Sequence, residues 1–186
     1  GQARDEADAG TEDDEAAEKG CPMSDPLLVR LFCRNEWGEV NWDAVWTNTP
    51  FRYGDMLYAT NGHLIVWREA TRRDDRYPLL EKDRPKKIRE GHPGAGACRR
   101  KWPSAKSTRH SWTIFGTIYS VRVEGCRWLY INAVYRDRVA SFGRKVGAPV
   151  RCAVPSDYDK PIYFVCGRWS GALMCLAHGP ESGGAR

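Results

Sequence analysis

Residues 51–67, FRYGDMLYATNGHLIVW, decide the fold class. Tyr53-Gly54-Asp55 and Asn61-Gly62 are turn signals on either side of residues 56–60, and residues 63–67 follow as an apolar run. Asn-Gly accepts positive φ at both central positions of a two-residue type I′ turn, so the stretch reads as a β-meander. Upstream, residues 27–32 form a short apolar run, 35–39 a turn and 40–46 a short helix or helical turn. Downstream, residues 112–123 are rich in β-branched and aromatic side chains, and Glu124-Gly125 turns them into 126–129 as a second hairpin. Ile131, Tyr135, Val139 and Phe142 then recur at helical spacing, with Asn132 as a cap and Gly143 and Gly147 beyond the run. That predicts one amphipathic helix, with Arg136 and Arg138 on its polar side and Arg144 and Lys145 at its end. Residues 150–154, 162–166 and 172–177 read as strands, with turns over 156–161 and 167–171. The order is helical turn, strands, insertion, strands, helix, strands, an α+β chain built mainly on antiparallel sheet. The parts flanking the insertion share the order helix then hairpin strands, without a residue-level repeat.

The length of 186 residues suits one domain, and a composition 41% hydrophobic and 28% charged with 8 Trp is that of a globular chain. No apolar run approaches the roughly 20 residues of a membrane helix, so no membrane span is expected. The net charge of +5 averages two opposed regions. Residues 1–19 carry eight acidic against two basic side chains, a net of −6, which leaves +11 on the rest. Residues 1–22 hold no aromatic or branched apolar residue and read as a disordered acidic tail foreign to the fold, with Met23 as a candidate native start. The domain proper is then 23–178, with 179–186 frayed. Between Arg68 and Arg109 stand fourteen basic and six acidic residues, together with Pro78, Pro85, Pro93 and Pro103. Segment 68–110 therefore reads as an irregular basic insertion. Its cations and interleaved Tyr77, Trp102 and Trp112 suit phosphate contacts with base stacking, centred on Arg99, Arg100 and Lys101. A solubilising loop explains the same composition.

Candidate chemistry is sparse. The seven cysteines are odd in number and never spaced C-x-x-C, which reads as reduced thiols in a cytoplasmic protein. His92, Cys98 and His110 lack the paired short spacing of a structural zinc site, so no metal and no cofactor is expected. Asp157 and Asp159 before Pro161 read as a turn in which Asp side chains bond the backbone. No Ser or Cys sits in a nucleophile-elbow context, and the chain is expected to be no enzyme.

Leu57-Tyr58-Ala59-Thr60-Asn61-Gly62-His63-Leu64 resembles the Ala-Thr-Asp-Gly-His-Arg-Leu hairpin of bacterial DNA sliding clamps, the β subunit of the replicative polymerase. Tyr130-Ile131-Asn132-Ala133-Val134-Tyr135 is similar to the helix entry Phe-Asn-Ala-Lys-Tyr-Leu of clamp-like phage proteins. Lys160-Pro161-Ile162-Tyr163-Phe164 and Gly171-Ala172-Leu173-Met174-Cys175-Leu176 are similar to the last strands, which end in Met-Pro-Met in the family. Asn61, Leu64 and Cys175 depart from the Asp, Arg and Pro of that pattern. The resemblance spans residues 27–67 and 112–177 and implies a clamp-like domain, two helix-plus-strands halves whose helices face DNA. It implies a non-catalytic, phage-related protein of DNA replication or repair. Its implied partners are duplex DNA, encircled on self-association into a homo-oligomer, and peptides of polymerases or repair proteins. Thr60, Gly62, His63, Leu64, Leu173, Met174 and Leu176 match the peptide cleft, and Arg136, Arg138, Arg144 and Lys145 would face phosphate without reading bases.

Overall fold

The computed structural model describes residues 25–82, 85–103, 108–113, 116–122, 129–156 and 159–176. The acidic tail 1–22, the turn at Glu124-Gly125, Lys106, Asp157 and the C-terminus 179–186 lie outside the described residues. Helix α1 (Asp25–Phe32) leads into strands β1 (Phe51–Tyr53), β2 (Met56–Thr60) and β3 (Leu64–Glu69). A short helix α2 (Lys86–Glu90) and strand β4 (Arg100–Lys101) follow, then β5 (Thr108–Thr113), β6 (Gly116–Arg122) and β7 (Tyr130–Asn132). Helix α3 (Ala133–Val146) and strands β8 (Arg151–Ala153), β9 (Ile162–Cys166) and β10 (Trp169–Leu173) close the domain. The α+β reading with a mainly antiparallel sheet holds.

Seven strands form one antiparallel sheet in the order β1-β2-β3-β10-β9-β8-β4, and β5-β6-β7 form a second. Without β4 the large sheet is palindromic: α1-β1-β2-β3 and α3-β8-β9-β10 are each a helix and three strands. Their third strands pair from Ser170↔Trp67 to Leu173↔Leu64. Alternation along the strands assigns the faces, because side chains of period two go to opposite sides. On the inner face Leu57, Ala59, Leu64, Val66, Phe164, Cys166 and Leu173 join Leu28, Leu31 and Phe32 of α1 and Tyr135, Val139 and Phe142 of α3 in one core. Both helices therefore lie on the same side of the sheet. Phe142 meets Phe32 edge-on at 5.0 Å and Trp169 at 5.5 Å, so it joins the two halves. At Gly171 a Cβ would collide with the Phe164 ring and lie 2.7 Å from the Ile65 carbonyl, which is why the crossing strand carries glycine there.

The outer face holds Phe51, Tyr58, Ile65, Trp67 and Ala172, and of the described residues 70–82 and 85–103 Leu80 and Ile88 pack on it, while Ala70, Tyr77 and Trp102 pack against the inner core. This segment, expected as an irregular insertion, is a strap anchored at both edges of the sheet. At one edge Arg52 N–H donates to the Pro78 carbonyl and Leu80 N–H to the Arg52 carbonyl, each at 2.8 Å. In the middle Ile88 packs on the outer cluster, Arg89 donates to the Tyr58 hydroxyl, and His92 stands edge-on to Trp67 at 5.6 Å and Tyr163 at 5.3 Å. At the other edge β4 pairs with β8. Arg68 and Glu69 belong to β3, and residues 108–110 begin β5, so the strap is shorter than 68–110.

Three further local readings are corrected. Asn61 N–H donates to the Leu64 carbonyl, so the central residues of the β2-β3 turn are Gly62-His63, one later than read. Gly62 has φ +94°, and the buried Asn61 side chain accepts from the N–H groups of His63 and Leu64, both at 2.9 Å. The run expected to turn over 167–171 turns at Gly167-Arg168 alone, with Trp169 already in β10. Of the short helix or helical turn read over residues 40–46, only a 3-10 turn forms, displaced to Val45–Thr47. By contrast α3 has the caps its sequence predicts, the Asn132 side chain accepting from Val134 N–H and Gly147 ending the helix in the left-handed conformation.

Candidate nucleic-acid interface

The cations predicted for DNA separate into two kinds. Arg136 is 4% exposed, its guanidinium 2.7 Å from the Asp137 carboxylate, and its carbonyl accepts from the Trp102 indole N–H at 2.9 Å. Arg138 is half-buried and forks onto the carbonyls of Arg34 and Asn35, both at 2.5 Å. Arg136 is turned away from solvent, against the expectation that it faces phosphate, and Arg138 secures α3 to the turn after α1. Burial lowers the Arg138 pKa, while the nearby Tyr135 and Glu36 push it back up.

Arg144 and Lys145, in the last turn of α3, are exposed, as are Arg99, Arg100 and Lys101. Positive charge in the last turn also complements the helix dipole. The fold brings these two predicted groups together. Lys101 stands opposite Arg151 in the β4-β8 pair, and Trp102 N–H donates to the Val150 carbonyl at 3.3 Å. Trp102 packs edge-on against Phe164 at 5.2 Å, and Val150 lies against Gly143 in the last turn of α3, so β4 sits beside the end of that helix. Ala148 N–H donates to the Gly143 carbonyl at 3.1 Å and folds the chain back from α3 towards β8. On the other side a Cβ at Gly167 would stand 3.4 Å from Val146 and 3.5 Å from Ala148, which places Arg168 beside the same helix end.

The result is one corner carrying Arg99, Arg100, Lys101, Arg144, Lys145, Arg151 and Arg168, all exposed. Segments 99–103, 143–153 and 166–169 contain no acidic residue. Register splits it over two faces: Lys101 and Arg151 share the outer face, whereas Arg100 opposes the inward Cys152. Basic charge thus wraps the sheet edge. Sequence reasoning missed Arg151 and Arg168, lone cations in short turns and strands with no local pattern, which only the β4-β8 and β9-β10 pairings bring to the helix end.

The residues matched to a peptide cleft are also divided. Met174 N–H donates to the His63 carbonyl at 2.8 Å, so the hairpin turn and the closing segment do meet. Thr60, Leu64 and Leu173 are buried, however, Leu64 and Leu173 in the inner core and Thr60 with its hydroxyl donated to the Leu64 carbonyl at 2.9 Å. They are corrected from cleft lining to packing residues. Gly62 and His63 are exposed, and Met174 and Leu176 are half-buried, so these four form a rim.

Burial also acts on the cysteines. It pushes the thiols of Cys152 and Cys166 up to about 11 and that of Cys33 up to about 12, whereas nucleophilic cysteines need a depressed pKa. Among the described residues no three His, Cys, Asp or Glu side chains converge as metal ligands, and no helix is long and apolar enough to cross a membrane. No protein-family model matches the chain, nor does any curated protein or solved structure.

Proposed function

We propose that the chain is a non-catalytic, clamp-like DNA-binding protein of DNA replication or repair, acting in the cytoplasm, that holds duplex DNA by phosphate contacts. The observation that carries this reading is the palindromic sheet, two helix-plus-three-strand halves joined at β3 and β10 with both helices on one side. That is the arrangement the resemblance to sliding clamps implies. The basic corner supports it independently, since seven exposed cations on segments that hold no carboxylate suit a backbone contact that reads no sequence.

The strap shapes how such a domain works. Arg52 in β1 gives both its backbone groups to the strap, so this edge is not open for another copy to extend the sheet. Contact through the corner, rather than encirclement by a homo-oligomer, is the mode favoured here. A polymerase or repair-protein peptide is the second partner, seated at the rim of Gly62, His63, Met174 and Leu176. The test is duplex titration with mass measurement in solution. Binding whose affinity falls steeply with salt, by a monomer, is expected; no duplex binding at low salt overturns the reading.

A further inference from the structure

A second basic site lies on the helix side, apart from the corner. Arg30, Arg34 and Arg138 line a pocket of about 500 Å³ between α1, α3 and the turn after α1, with Pro26, Val29 and Leu31 as its apolar wall. None of its lining residues is acidic. Glu36 acts electrostatically on Arg138 from beside the pocket, and its carboxylate accepts from the Tyr135 hydroxyl at 2.5 Å.

Two of the three guanidinium groups, those of Arg34 and Arg138, are positioned before any ligand arrives. Arg34 Nη1 donates to the Cys33 carbonyl at 2.8 Å and the Asn48 carbonyl at 3.0 Å. Its own carbonyl is fixed in turn by Asn61 Nδ2 at 2.7 Å and Arg138 Nη1 at 2.5 Å. Among the described residues the hydrogen bonds of Arg34 use Nη1 alone, and Arg30 is exposed and enters no ion pair. Gathering three like charges is unfavourable in a low-dielectric setting, and an oxyanion among them reverses the sign. Arginine forks match phosphate geometry, and fixed donors lose little freedom on binding. The volume exceeds what an inorganic anion fills and lies in the range of small-ligand pockets.

We infer that this pocket binds a nucleoside phosphate, with phosphate oxygens on Arg30, Arg34 and Arg138 and the sugar or base against Val29 and Leu31. The unit is either a free nucleotide or one nucleotide of a DNA strand. The second source rests on the proposed DNA binding: Arg138 and Arg144 lie on one helix, six residues and roughly 9 Å apart along its axis, so one strand can reach the pocket and the corner.

Calorimetric titration of the full chain with deoxyadenosine monophosphate tests the site, with deoxyadenosine as control. Saturable binding of the nucleotide but not the nucleoside is expected. Arg30→Gln, at an exposed position that anchors nothing, should weaken it about tenfold, the loss of one charge-assisted contact. Replacing Arg100 and Lys101 by Gln at the corner should leave nucleotide binding unchanged. Absence of saturable nucleotide binding, equal binding of the nucleoside, or an unaffected Arg30→Gln variant overturns the inference. Competition then assigns the source: displacement of duplex by the nucleotide places a DNA phosphate in the pocket, and simultaneous binding a free nucleotide. Loss of duplex binding with nucleotide binding intact sinks the DNA reading and leaves the pocket standing.

Discussion

The two faces of the large sheet are covered in different ways, and the contrast explains where this chain keeps stability and where it keeps charge. The inner face is closed by two helices whose apolar side chains interdigitate with the strands, and Phe32, Phe142, Phe164, Leu64 and Leu173 are all fully buried. The outer face is closed by a strap whose described residues hold one five-residue α-helix, two 3-10 segments and few buried apolar side chains, held by edge pairing and by polar groups set on aromatic rings. Helices supply a contiguous apolar stripe from within themselves. A strap must borrow order from the sheet, so it ends as β4 and carries its remaining cations outwards.

The contrast is broken most severely at the inner face. Phe142→Ala removes the ring that joins α1, α3 and β10, and should cost about 3–5 kcal/mol, read as a lower midpoint in urea. A cost under about 1 kcal/mol would mean that the halves are not joined through this ring. Next in size is Asp74→Asn, where the strap leaves β3. Arg68 forks onto the buried Asp74 carboxylate at 2.8 and 2.9 Å, and Thr71 donates to it from backbone and hydroxyl. Burial by itself would raise the Asp74 pKa, but these four donors outweigh it and hold it below the usual carboxylate range. Removing the charge strands a buried guanidinium beside Trp169, at a cost of about 3 kcal/mol at neutral pH. Because the folded pKa is depressed, the pair stabilises above the unfolded value near 4 and loses this contribution as pH falls below it. The Asn variant should lack that part of the acid loss.

A smaller effect belongs to the middle of the strap. Burial lowers the pKa of His92, between Trp67 and Tyr163, so the folded protein prefers its neutral ring. The unfolded chain binds that proton more readily, so stability holds above about pH 6.5 and falls as pH drops below it. His92→Phe should flatten the stability profile between pH 7.5 and 5.5. An unchanged slope would show that the strap does not depend on a neutral His92.

The same contrast explains what was legible in the sequence. The elements of the inner face announce themselves: Tyr135, Val139 and Phe142 keep helical spacing, Asn132 and Gly147 mark the ends of α3, and flanking turn signals with an apolar run mark β2 and β3. These signals are local, and burial against the sheet only reinforces them. The hairpin turn was misplaced by one residue because the Asn61 side chain, not its backbone, bonds Leu64 N–H, which no dipeptide rule encodes. The strap was legible only as composition. Its prolines and charges signal irregular backbone, while its two anchors are long-range pairings, Arg52 with Leu79 and Lys101 with Arg151. The candidate site suffered most: Arg136 and Arg138 sit where a helical wheel puts solvent, but β4 and the turn after α1 cover them.

The basic corner should show the smallest effect on stability and the clearest on binding. Arg100→Gln with Lys101→Gln changes exposed side chains of a two-residue edge strand, and folding stability should move by no more than about 0.5 kcal/mol. Each phosphate contact contributes about 0.9 to the slope of log affinity against log salt, so the pair should lower the magnitude of the slope by about 2 if both residues touch DNA. Arg136→Gln should behave in the opposite way, destabilising the fold while leaving the slope nearly unchanged, because its guanidinium is buried and only 2.7 Å from Asp137. Paired measurement of denaturation and salt slope for both variants separates cations that build the fold from cations that meet phosphate. If Arg136→Gln lowered the slope as much as the corner variant, Arg136 would meet DNA after all, and its place among the cations that build the fold would be lost.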